Sequence, residues 1–349
     1  MPAVELSWDE LSAEVAAWEK KLASGQASLR DAAAAKPGAS PRDCVFRAGK
    51  ASLYRYRPLR EDVQAVPTLV VYALVNRPAM ADLERERSLV HGLLERGVDV
   101  HLIEWEDPSS LDCGRSLADY VEHDLGACVE WLDRGGGIHL VGICQGGTFS
   151  LCYSALHPER VRRLVTTVTP VDFHTPQDML SHWLRYVDLD LLGAGNVAGD
   201  ALNGLFLMLK PMRLMQQKYV GLVDQLGDPA AVATFMRMEQ WIFDSPDLAA
   251  TAVREFAEAC YRDNRLVKGG LSIGGKAVDL RAITMPVLNI FAAEDHLVPP
   301  AASRALKGLV ASADYTELEV PGGHIGIYVG NRSRKLVAET IANWLGVAG

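Results

Sequence analysis

From Cys44 onward, short apolar runs alternate with longer stretches of helical periodicity. Candidate strands are Val45–Arg57, Thr68–Leu74, Val98–Glu104, Ile138–Ile143 and Val161–Thr167, with helical patterns around Met80–Arg96, Leu117–Arg134 and Gly147–Leu156. Runs such as Thr-Leu-Val-Val-Tyr-Ala-Leu suit strands covered on both faces. This alternation predicts an α/β fold with a mostly parallel, doubly wound sheet. The rhythm stops after Pro170. Between about Val171 and Arg265 the chain is rich in Leu, Met, Trp, Asp and Gln, helical in period and without a convincing buried strand. Strand patterns return at Met285–Ala292 and Tyr315–Val320, and a last helix covers about Ser333–Leu345. A mainly helical insertion, residues 171–265, therefore interrupts a core made of residues 41–170 and 266–349. Ligands of open α/β sheets bind beyond the carboxyl ends of the strands. An insertion there reads as a cap, or lid, over the site.

Ahead of the core, Ser7 and Glu10 form an S-x-x-E capping box, and Leu6 with Leu11 fits a hydrophobic staple. Leu11, Val15, Trp18 and Leu22 then fall on one face at helical spacing. Residues 1–40 accordingly read as an N-terminal helix and a linker rich in Ala, Gly, Pro and Ser.

Charge and cysteine content narrow the function. The 349 residues carry a net charge of −9, which disfavours a nucleic-acid binder, because phosphate recognition needs a concentrated basic surface. The chain opens MPAVELSWDE, acidic where an export signal would be basic. Its six cysteines, Cys44, Cys113, Cys128, Cys144, Cys152 and Cys260, are expected to be reduced thiols. They have no metal-ligand spacing, and no metal site is expected. Gly135 to His157 holds no Asp, Glu, Lys or Arg, yet it contains six glycines and breaks in the middle. It reads as a buried strand, a sharp turn and a buried helix, with no membrane span.

That turn, Gly142-Ile143-Cys144-Gln145-Gly146-Gly147, carries the strongest chemical signal. It follows an apolar strand and opens a helix, the context of a nucleophile elbow. Glycine two residues before and two after the nucleophile lets strand and helix cross without collision. Cys144 would stand above the sheet, and the Gln145 N–H, at a helix start, would face a developing oxyanion. The second donor is expected from the loop after Thr68–Leu74, by the N–H of Val75 or Asn76. After the strand ending at Ala292 comes Ala293-Glu294-Asp295-His296, and after Val320 comes Pro321-Gly322-Gly323-His324. The order nucleophile, acid, histidine is that of the α/β-hydrolase fold. Asp295 is preferred to Glu294 as the acid. His324 is preferred to His296 as the base, because a histidine adjacent to its own acid on the chain rarely also reaches the nucleophile. A thiol is more acidic than a hydroxyl and forms a thioester when acylated. If the donor is itself a thioester, the acyl group keeps its reactivity for a later alcohol, provided water is kept out. The residues thus point to acyl transfer from a thioester to a hydroxyl.

Several blocks resemble the catalytic subunits of polyhydroxyalkanoate synthases of the short, two-subunit type (class III). They are YALVNRP at Tyr72–Pro78, Leu191–Asn196, LVGICQGGTFSLCY at Leu140–Tyr153, LVTTVTPVDF at Leu164–Phe173, WIFDSPD at Trp241–Asp247, PVLNIFAAEDHLVPP at Pro286–Pro300 and PGGHIGIY at Pro321–Tyr328. The resemblance implies an α/β-hydrolase-fold acyltransferase with Cys144, Asp295 and His324 as its triad. It implies a hydroxyacyl-CoA substrate and no cofactor beyond that thioester. It also implies polyester extension with release of CoA, a second non-catalytic subunit, homo-oligomers, and a cytoplasmic location at the polymer granule. Class IV, the other short type, stays open. So do two rival readings: a dienelactone-hydrolase-like cysteine esterase, which also uses G-x-C-x-G-G, and a non-catalytic binding protein on the same fold.

Overall fold

The computed structural model describes residues 12–13, 15–16, 37–189, 195–209, 218–330 and 333–346. Of the expected N-terminal helix only Ser12, Ala13, Val15 and Ala16 are described, helical and exposed; the rest, like Leu191–Ala194 of the resemblance, lies outside.

An eight-stranded sheet forms the centre. Its strands are β1 (Arg42–Ala48), β2 (Ala51–Tyr56), β3 (Thr68–Val71), β4 (Val100–Trp105), β5 (Ile138–Ile143), β6 (Val161–Thr167), β7 (Val287–Ala292) and β8 (Tyr315–Val320). They lie in the order β1-β2-β4-β3-β5-β6-β7-β8. β1 and β2 form an antiparallel hairpin that joins β4 antiparallel; every pair from β4 onward is parallel. Alternate residues of the central strands feed two cores. Leu69, Val71, Leu140, Leu164 and Val287 face one, while Val70, Val141, Val165 and Leu288 face the other. Helices α1 (Leu89–Leu94) and α12 (Ser333–Trp344) pack together and line the second core. On the first lie α2 (Gly126–Leu132), continuing a π-turn over Asp119–Leu125, and α3 (Gln145–Leu156). A strand buried on both faces has no polar alternation to display, so β5 is buried at all six positions.

Two expected elements come out differently. The run read as one strand, Val45–Arg57, is the β1–β2 hairpin, turned at Gly49 with φ of 53°. A side chain there would strike Asp124, whose carboxylate accepts the Lys50 N–H at 3.0 Å. The helix expected over Met80–Arg96 begins only at α1. Before it come a 3-10 turn at Pro78–Ala81 and a small ladder of Asp82–Glu84 with Arg87–Ser88. Buried Asp82 organises this excursion by accepting from Ser40 N, Ser40 Oγ and Ser88 Oγ.

The insertion between β6 and β7 is helical, as expected. It contains α4 (Met179–Leu184), α5 (Gly199–Met208), α6 (Lys218–Gln225), α7 (Pro229–Phe243), α8 (Ala250–Phe256), a π-turn at Ala257–Arg262 and α9 (Arg265–Lys268). Its two ends meet: Asn264 Oδ1 accepts the Phe173 N–H at 3.1 Å, and Asn264 Nδ2 donates to Asp172 at 2.8 Å. Edge-to-face contacts among Phe149, Phe173, Phe256 and Tyr261 close the base beneath this neck. The ends of the stretch 171–265 pack within the core, since Val171, Phe173, Leu248, Ala252, Phe256 and Cys260 belong to the first core. An antiparallel bridge between Val197 and Leu248 marks where an outer lobe, described over residues 198–209 and 218–247, departs and returns. That lobe has its own small cluster around Leu226 and Val232. The remaining helices are α10 (Pro300–Arg304) and α11 (Gly326–Val329), both at loops that follow strands. No helix among the described residues is long and apolar enough to cross a membrane.

Candidate active site

Cys144 sits between β5 and α3 with φ of 55° and ψ of −125°. Non-glycine residues occupy such backbone conformations only where the surroundings over-determine them. Three glycines do so here. A Cβ on Gly142 would lie 2.4 Å from Gly147 Cα, one on Gly146 2.2 Å from Val71 O, and one on Gly147 1.8 Å from Thr169 Oγ1. The sequence pattern singled out Gly142 and Gly146; the need for Gly147 arises from Thr169, just past the end of β6, and has no local signal. β6 also holds the turn, because Thr167 O accepts the Cys144 N–H at 3.0 Å and Thr167 Oγ1 donates to Gly142 O at 3.2 Å.

The loops after β7 and β8 run side by side, with the Glu294 N–H bonded to Gly322 O at 2.9 Å. They bring His324 Nδ1 within 2.6 Å of Asp295 Oδ2. Asp295 Oδ1 accepts the N–H groups of Leu297 and Val298, each at 2.9 Å. The carboxylate therefore caps its own turn and orients the histidine at once. With Nδ1 engaged, Nε2 is the ring nitrogen left to serve Cys144, whose sulfur interacts electrostatically with the imidazole. Asp295 and His324 are each only 6% exposed, and Cys144 is partly buried. Burial pushes the imidazole down. Electrostatic interaction with Asp295 and Cys144, together with the hydrogen bond to Asp295, outweighs it and holds His324 well above its ordinary value. Tyr72, Tyr261 and Tyr328 interact electrostatically with Cys144, and burial raises all three phenols, which keeps them neutral.

The loop after β3 closes over the elbow. Gln145 Oε1 accepts the Leu74 N–H at 3.1 Å, which places Val75 and Asn76 next to the start of α3. Asn76 has φ of 64°, and its side chain accepts from Ser245 Oγ at 2.5 Å. Trp241 Nε1 donates to Arg77 O at 2.7 Å. The outer lobe thus holds this loop directly, a link no sequence pattern announced. Trp241 belongs to the second core, against which Met238, Ile242 and Cys144 all pack. Among the described residues, no cluster of three His, Cys, Asp or Glu side chains could hold a metal ion.

Residues 78–331 match the family model described as alpha/beta hydrolase fold. A poly(3-hydroxyalkanoate) polymerase subunit PhaC of Allochromatium vinosum is 51% identical over 98% of each chain. The chain belongs to this polymerase family. A second member, the poly(3-hydroxyalkanoate) polymerase subunit PhaC of Synechocystis sp., is 46% identical over 88% of this chain and 85% of its own. Among solved structures, a hydrolase from Pseudomonas aeruginosa PA01 superposes with a TM-score of 0.53 at 17% identity, covering 87% of this chain and 98% of that one. At that identity the likeness concerns the fold alone. Membership in the polymerase family puts the dienelactone-hydrolase-like reading aside.

Proposed function

We propose that this chain polymerises hydroxyacyl-CoA into polyhydroxyalkanoate through acyl-cysteine intermediates. Two things support the reading: relatives named as poly(3-hydroxyalkanoate) polymerase subunits over nearly the whole chain, and a buried Asp295–His324 hydrogen bond whose imidazole interacts electrostatically with Cys144 at a strained elbow. The second carries the chemistry. Cys144 sulfur attacks the thioester carbonyl while His324 Nε2 takes the thiol proton. The tetrahedral oxyanion is met by the N–H groups of Gln145 and Val75, with Asn76 the alternative for the second. Collapse expels CoA, to whose sulfur His324 returns the proton. The hydroxyl of a second hydroxyacyl unit, or of the chain end, then gives its proton to His324 and attacks the acyl-cysteine carbonyl. A new ester bond forms and the Cys144 sulfur leaves. Asp295 keeps the imidazole in the tautomer that presents Nε2 and stabilises the imidazolium between steps. No cofactor is required, because the substrate thioester supplies the activation. The outer lobe acts as the cap, excludes water from the acyl-cysteine and moves to admit CoA.

In this reading the chain works with a second, non-catalytic subunit, self-associates, and sits in the cytoplasm at the surface of the polymer granule; the word subunit in the relatives' names supports the first of these. Cys144→Ala tests the core of the proposal. The variant should fold, release no CoA from hydroxyacyl-CoA and take up no acyl label, whereas wild type is labelled on Cys144. CoA release within about tenfold of wild type would overturn the assignment.

A further inference from the structure

Four residues beyond His324, Tyr328 lies in the short helix α11 with its hydroxyl fully enclosed; the residue is 2% exposed. The Tyr328 hydroxyl lies 2.6 Å from Thr167 Oγ1. Thr167 is the residue that grips both sides of the elbow, through its carbonyl on the Cys144 N–H and its hydroxyl on Gly142 O. A threonine hydroxyl has one proton. Since that proton goes to the Gly142 carbonyl, Tyr328 must be the donor in the pair with Thr167. Burial keeps the phenol protonated and able to donate.

We infer that Tyr328 is a positioning residue, whose hydroxyl braces the loop carrying His324 against the β6 residue that fixes the elbow. The two reacting groups lie 180 residues apart in the chain, Cys144 and His324, and the Asp295 bond alone orients the imidazole about one axis. The Tyr328–Thr167 bond ties the segment that carries His324 directly to the strand beside Cys144. Val168, buried and held at φ of 43°, receives its own fixing bond from β7, its N–H donating to Ile290 O at 2.8 Å. The strand end that Tyr328 grips is therefore held from both sides, and slack there would pass to the sulfur–imidazole distance.

The inference depends on Cys144 and His324 acting as proposed above, so Cys144→Ala is measured alongside. Tyr328→Phe removes one oxygen and keeps the buried ring. Turnover number for CoA release should fall by ~10- to 100-fold, the range that misplacement of about 1 Å produces, with KM within about twofold. Cys144 alkylation by iodoacetamide at fixed pH should slow as well, since it needs the imidazole partner but no substrate. Thr167→Val should reproduce the loss, the double variant should be no worse than either single one, and Thr167→Ser, which keeps the hydroxyl, should stay near wild type. Wild-type turnover and alkylation in Tyr328→Phe would overturn the brace while leaving the Cys144 assignment intact. So would additive losses in the double variant, or a loss that follows melting temperature with alkylation unchanged. Activity surviving in Cys144→Ala would instead remove the reading beneath it.

Discussion

At Asp295 one carboxylate performs two tasks, and each oxygen can be assigned. Oδ1 takes the Leu297 and Val298 N–H groups, and Oδ2 takes His324 Nδ1. The residue that the sequence offers as the catalytic acid is also the cap of its own turn, and the geometry accommodates both. His324→Gln removes the base and should lower CoA release by several orders of magnitude. His296→Gln should be mild, and an assay in which His296 proved the more damaging position would reverse the choice between them. Asp295→Asn carries a further, pH-dependent signature. In the native protein His324 titrates above its unfolded value, so its interactions stabilise the fold fully below pH of about 6.5 and cease to do so as pH rises through the native value. With Asn at position 295, burial is no longer outweighed. The stability gap between wild type and variant should therefore be wider near pH 6 than near pH 9 in urea unfolding. A gap independent of pH, or wider at pH 9, would show that Asp295 does not hold the imidazole's proton.

The elements near the elbow impose steric conditions that are stricter than their hydrogen bonds. A Cβ on Gly146 would meet the backbone of Val71 and Tyr72, which cannot rotate away. Gly146→Ala should cost about 3 kcal/mol, the upper part of the range for overpacking, and should lower acylation of Cys144 in the fraction that remains folded. Gly136→Ala, where nothing lies within 4 Å, should stay within about 0.5 kcal/mol. Equal stability of the two variants in denaturant titrations would contradict the collision. The elbow glycines were readable because strand, turn and helix are contiguous, and the central strands were readable because burial on both faces leaves long apolar runs. Val45–Arg57 failed as one strand because a glycine turn hid inside a good β pattern. Met80–Arg96 failed for a different reason. Its helix is displaced by Asp82, whose partners Ser40 and Ser88 are fixed by tertiary position. The tie of Trp241 and Ser245 to the loop after β3 spans more than 160 residues, beyond any local pattern.

For the molecule as a whole, the open question is how a site this enclosed admits a CoA thioester and releases a growing chain. The outer lobe has the attributes of a unit that moves as one body. It leaves and returns at the Val197–Leu248 bridge, has its own apolar cluster, and leaves Met208, Tyr219, Val220 and Phe243 exposed. Besides its bonds to the loop after β3, it is moored where Glu84 accepts from Thr234 Oγ1 at 2.9 Å and from Arg237 Nη1 at 2.7 Å. Both members of that ion pair are shielded, with side chains 18% and 24% exposed, so its loss matters more than that of a surface pair. Glu84→Ala should weaken the mooring by about 1.4 kcal/mol and raise the open population about tenfold. Labelling of Cys144 by a bulky maleimide, followed site by site by mass spectrometry, should then accelerate about tenfold, because only the open form admits the reagent. Small iodoacetamide should gain less. Water should gain entry too, so the share of acyl-cysteine lost as free hydroxyacid should rise against polymer. Unchanged bulky labelling and unchanged partition in Glu84→Ala would mean that CoA reaches Cys144 without displacement of the lobe.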